Sequence, residues 1–99
     1  MHSAYSILDQ QGVALPSDLM TAINKLAPYV APAMEKHHID PYQGLVEVGE
    51  PYLALDWLLG SAILPEVSIP SDVLDYALDC LNEEDREEYA QLLQHVSTS

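Results

Sequence analysis

Basic residues are scarce in this chain of 99 residues: Lys25, Lys36 and Arg86 face sixteen Asp and Glu, for a formal net charge of −13. Protonating His2, His37, His38 and His95 would still leave −9. A protein that neutralises phosphates needs a basic stripe, and three cations cannot make one. Direct nucleic-acid binding is therefore excluded, and anionic membrane surfaces are disfavoured for the same reason. Cysteine is almost missing. Cys80 stands alone, so no internal disulfide and no two-cysteine metal clip can form. Phe is absent and β-branched residues are sparse. No segment shows the strict apolar–polar alternation of a strand. No long hydrophobic run exists either. The most apolar stretch, Tyr52 to Leu64, is interrupted by Asp56 and is too short to cross a bilayer. Met1 to Gln10 lacks a basic start and a long apolar core, so no signal peptide is expected and the chain reads as cytoplasmic.

What is present is a helical pattern. Apolar residues make up 48% of the chain, enough for one modest core. A chain of this mass hides about 65% of its unfolded surface. One helical domain over residues 1–96 is expected, with 97–99 as a frayed tail. The fold class is all-α, a compact bundle of five or six short antiparallel helices joined by proline-marked turns. Ser3 to Gln10 reads as a first helix, ended at Gly12. Ser17 is placed to cap a second, whose stripe is Leu19, Ala22, Ile23 and Leu26. Pro28 and Pro32 are expected to stop or kink it, which leaves Tyr29 to His38 as a kinked continuation or an excursion.

Asp40-Pro41 and Glu50-Pro51 both look like helix starts, with Pro at the first helical position. The helix from Tyr52 to about Leu64 is apolar on nearly all sides. Such a helix is buried on several sides, so it is expected at the centre of the bundle, with Trp57 in the core and Asp56 wet or paired. Pro65 to Pro70 reads as a loop. Ser71 and Asp72 are placed to cap a helix to about Leu81, with Val73, Leu74, Ala77, Leu78 and Leu81 inward. Asn82 is placed to cap the last helix. Glu83, Glu84 and Asp85 in its first turn suit the positive end of the helix dipole, and Tyr89, Leu92, Leu93 and Val96 are expected to face inward.

The candidate functional feature is acidic. Residues 50–99 carry eleven acids against Arg86 alone. Asp72, Asp75 and Asp79 share one helix face with Tyr76 beside them, and Glu83 and Glu84 follow. These six residues are the expected partner-binding set. A surface that only needs solubility mixes both signs, whereas one sign throughout attracts a polycation and speeds encounter. Catalysis finds little support. There is no Gly-rich phosphate loop, no Gly-x-Ser-x-Gly and no His-Glu-x-x-His. Cys80 with the distant His95 makes a weak nucleophile pair and reads as a buried thiol. Adjacent His37 and His38 point apart on a helix and read as a helix end. No enzyme activity, cofactor or metal is expected.

The string Gly49-Glu50-Pro51-Tyr52-Leu53-Ala54-Leu55-Asp56-Trp57-Leu58 resembles the Gly-Glu-x-x-x-Ala-Leu-x-x-Leu core of small bacterial immunity proteins of the Maf type. Leu15 to Leu19 is similar to that family's early helix start, Ile69 to Leu81 to its Ile-Pro and acidic helix, and Glu83 to Val96 to its final acidic helix. The resemblance implies an antitoxin that binds a toxin domain delivered by neighbouring cells, as in contact-dependent growth inhibition. Many such toxins are nucleases, and nuclease domains tend to be basic. Two other readings stay open: an adaptor or secretion-chaperone-like module presenting an apolar groove, and a nucleic-acid mimic. The identity of the toxin and the oligomeric state are not encoded in any motif.

Overall fold

The computed structural model describes residues 15–94, 97 and 98. Among them are five helices: α1 Pro16–Lys36, α2 Gln43–Glu47, α3 Pro51–Ser61, α4 Ser71–Asp79 and α5 Glu83–Leu92. The fold is all-α. The helix expected over Ser3 to Gln10 and the inward Val96 lie outside the described residues. Two short strands, β1 Ile69–Pro70 and β2 Ser97–Thr98, pair in parallel. Ser97 and Thr98, expected in a frayed tail, are thus held to the segment that leads into α4.

The longest helix runs through both of its prolines. The buried stripe of α1 is Leu19, Ala22, Ile23, Leu26, Ala27, Val30, Ala33 and Met34, unbroken over four turns and more. Pro28 and Pro32 sit four residues apart on the exposed side. Each removes one helical hydrogen bond, which orphans the carbonyls of Asn24 and Pro28. Asn24 and Pro28 are themselves exposed, so water can satisfy those oxygens. Continuous burial on the other face outweighs the local cost. Of the outcomes expected at Pro28 and Pro32, the stop does not occur: Tyr29 to Lys36 continues the helix.

Helix ends follow backbone geometry more than side-chain capping. Leu15 is the N-cap of α1, and Ser17 already lies inside the helix. Asp40 caps nothing, since α2 begins only at Gln43. Pro70 precedes α4, and Ser71 is its first residue rather than its cap. Glu50-Pro51 does open a helix as expected, with Glu50 the N-cap of α3 and Pro51 its first residue, and Asn82 caps as expected, its side chain accepting from the Asp85 amide at 2.8 Å. Two helices close with Schellman motifs. At the end of α2, Glu50 donates to the Leu45 carbonyl and Gly49 to that of Val46, with Gly49 at φ 82°. At the end of α1, Ile39 donates to Met34 and His38 to Glu35. There His38 takes the left-handed position at φ 59°.

The core is built from aliphatic side chains, as it must be without Phe. Ile23, Leu26, Leu55, Leu58, Leu59, Ile69, Leu81 and Leu93 are among its largest fully buried members. α1 packs chiefly against α3 and next against α4. The described body measures 43 × 32 × 19 Å, and its shortest axis is about two helix diameters. In two layers every helix keeps an outward side. That corrects the placing of α3 at the bundle centre: Ala54, Leu55, Leu58, Leu59 and Ala62 are buried, while Leu53, Trp57 and Ile63 are 48%, 41% and 43% exposed. Trp57 is not a core residue. Leu92, expected inward, is exposed for the same reason.

Candidate functional site

α5 has no buried residue of its own. It is tied down by its N-cap, by Leu93 just beyond it, and by two tyrosine–aspartate links to α3. Tyr52 of α3 donates to Asp85 Oδ2 at 2.8 Å and accepts from the Asn82 amide at 3.1 Å. In the reverse sense, Tyr89 of α5 donates to Asp56 Oδ1 at 2.6 Å. Asp56 is thus paired, one of its two expected fates. Burial, followed by smaller effects that include the hydrogen bond to Asp85, pushes the Tyr52 phenol up to about 12. Burial and the bond to Asp56 raise Tyr89 still further. Both phenols stay neutral donors, which keeps each aspartate oxygen bonded.

The acidic surface is anchored by these links. Asp72, Asp75 and Asp79 are all exposed along α4, and Glu83 and Glu84 are exposed at the start of α5. α4 and α5 touch, so the five carboxylates lie on two adjoining elements. Tyr76 differs from them. It is partly buried against the core, and Lys25 Nζ lies 5.6 Å from its ring centroid. Its ring therefore serves the α1–α4 contact as well as the surface. Glu87 and Glu88 are exposed too and extend the acidic face. Spacing along α5 could have flagged them.

Few cations answer these acids. Among the described residues, Glu66 is the one carboxylate with an ion pair, to His37 at 2.6 Å and Lys36 at 3.8 Å. Its own backbone amide, then His37, hold the Glu66 carboxyl below the usual range. The Arg86 Nε is buried without a hydrogen-bond partner among the described residues. His37 and His38 do end a helix, as their sequence position suggests. Cys80 is fully buried, and burial lifts its thiol to about 11. No group of three metal-ligating side chains occurs among the described residues, and no helix there is long and apolar enough to cross a membrane.

A second surface is an apolar groove of the kind the adaptor reading asks for, at a place that reading did not name. Asp40, Pro41, Gly44, Leu45, Leu53, Asp56 and Trp57 line a groove of about 510 Å³ between α2 and α3. The Trp57 indole donates to the Asp40 carbonyl at 2.7 Å, which fixes the ring at the groove wall. The apolar α3 pattern hinted at it, but one-dimensional periodicity cannot tell a core stripe from an outward one. Compared with protein-family models, curated proteins and solved structures, the chain matches none.

Proposed function

We propose that this chain is a stoichiometric protein inhibitor, an immunity protein that binds a basic toxin domain in the cytoplasm and occludes its active site. The carrying observation is the exposed run of Asp72, Asp75, Asp79, Glu83 and Glu84 without one basic partner among the described residues. Such a face attracts a cationic cleft over long range and raises the on-rate, while close contacts set the off-rate. Plugging a cleft needs no chemistry from the inhibitor. The resemblance of Gly49 to Leu58 to Maf-type immunity proteins supports the toxin as partner.

The test takes as partner any toxin domain found encoded beside this gene. Co-expression of the wild-type chain should relieve its growth arrest. Asp75→Lys with Asp79→Lys should slow association in stopped-flow mixing by about tenfold or more, with the circular dichroism spectrum unchanged. An unchanged on-rate removes this face from the interface. A second reading, an adaptor that holds a partner segment, is favoured by the exposed Leu53 and Trp57 beside the groove. Binding that survives Asp75→Lys with Asp79→Lys but is lost in Leu53→Ser selects it.

A further inference from the structure

We infer that the groove between α2 and α3 receives a basic amphipathic helix from a partner protein. The apolar side of that helix would sit against Leu45, Leu53 and Trp57, with Lys or Arg on its flanks meeting Asp40 and Asp56. This deepens the adaptor reading by naming its occupant, and it does not depend on the acidic face of α4 and α5.

The groove has the chemistry of a segment binder. Its floor and walls are largely aliphatic and aromatic, and it is open to solvent along one side. Apolar residues scattered singly on a surface mean little. Here Leu53 and Trp57 share one outward side of α3 and face Leu45 across the groove. Trp57 is pre-set by its bond to the Asp40 carbonyl, so little side-chain entropy is left to lose on binding. An aromatic anchor in a pocket is the usual centre of a binding hot spot, and an apolar trough of this kind suits helix-in-groove recognition.

Charge selects among possible occupants. No lining residue is basic, and Asp40 and Asp56 both stand at the groove. Glu47 and Glu50 follow on the neighbouring turn, both exposed. A second copy of this chain carries the same −13 and is repelled, as is an anionic lipid surface. A segment with cationic flanks is attracted and desolvates its apolar side in the groove.

Trp57 is the single tryptophan, so its emission reports on this place alone. The probe is a synthetic Leu/Lys amphipathic helix without tryptophan, added to the full chain. Its Leu/Glu counterpart is the control. The Leu/Lys peptide should shift Trp57 emission to shorter wavelength and saturate at one per chain, while the Leu/Glu peptide should not. Leu53→Ser, at a half-exposed site, should weaken binding about tenfold or more. Gly44→Leu should do the same by filling the groove, because a Cβ there meets nothing within 4 Å. Asp40→Asn should weaken binding and flatten its salt dependence. Asp75→Lys with Asp79→Lys should leave the emission shift in place. If that double variant abolishes binding while Leu53→Ser and Gly44→Leu do not, the peptide sits on the acidic face. The groove proposal then falls and the inhibitor reading stands. Short-wavelength emission in the free protein, or concentration-dependent dimers in sedimentation that Gly44→Leu abolishes, would show the groove already covered and overturn the proposal.

Discussion

His38 is the one described non-glycine residue with positive φ. It holds the position that glycine usually takes at a helix end, where a Cβ is crowded. It is exposed, and its side chain makes no hydrogen bond among the described residues. His38→Gly should therefore raise stability by about 1 kcal/mol, read as a higher urea midpoint with unchanged slope. Its neighbour His37 is different, because its ring holds Glu66 at 2.6 Å. Both histidines were legible as a helix end. Their separate roles were not, because Glu66 lies 29 residues away.

α5 shows how an element can be held by polar links where apolar burial is thin. Its Tyr52 link has a pH signature. The native phenol titrates near 12 and an unfolded tyrosine near 10. Below pH about 10 both states keep the proton, and the link contributes fully. Between about 10 and 12 the unfolded chain releases the proton first, so stability falls as pH rises. At about pH 11 the wild type should have lost about 1 kcal/mol more, relative to pH 8, than Tyr52→Phe loses. Parallel urea titrations of the two proteins check it, and equal losses would separate Tyr52 from the alkaline transition. The Asn82 cap and acidic first turn of α5 were readable in advance because capping is local. The partners Asp85 and Asp56 were not, because each bond joins residues 33 apart.

For the molecule as a whole, charge of one sign sets the main tension. Fifteen of the acids fall within the described residues, and Glu66 alone has an ion pair there. Like charges at helical spacing cost a few tenths of a kcal/mol per pair, and salt screens them. Raising sodium chloride from about 10 mM to about 0.5 M should therefore stabilise the fold by about 1 kcal/mol. Binding to a basic partner should weaken over the same range. Thermal melts and binding titrations in matched buffers read both. A melting temperature that falls with salt would contradict the unrelieved repulsion.

Helicity, the α1 and α4 stripes, the Asn82 cap and the exposed acids of α4 could all be read along the chain. Each depends on residues within a turn or two of one another. Three features needed the packed molecule. α1 passes through Pro28 and Pro32 because burial of its far side outweighs two missing hydrogen bonds. α3 turns Leu53 and Trp57 outward because a body 19 Å thick has no interior helix. Ser97 and Thr98 pair with Ile69 and Pro70 because folding brings together strands 28 residues apart. Local chemistry is written in neighbouring residues, whereas which face meets solvent depends on where the other helices lie.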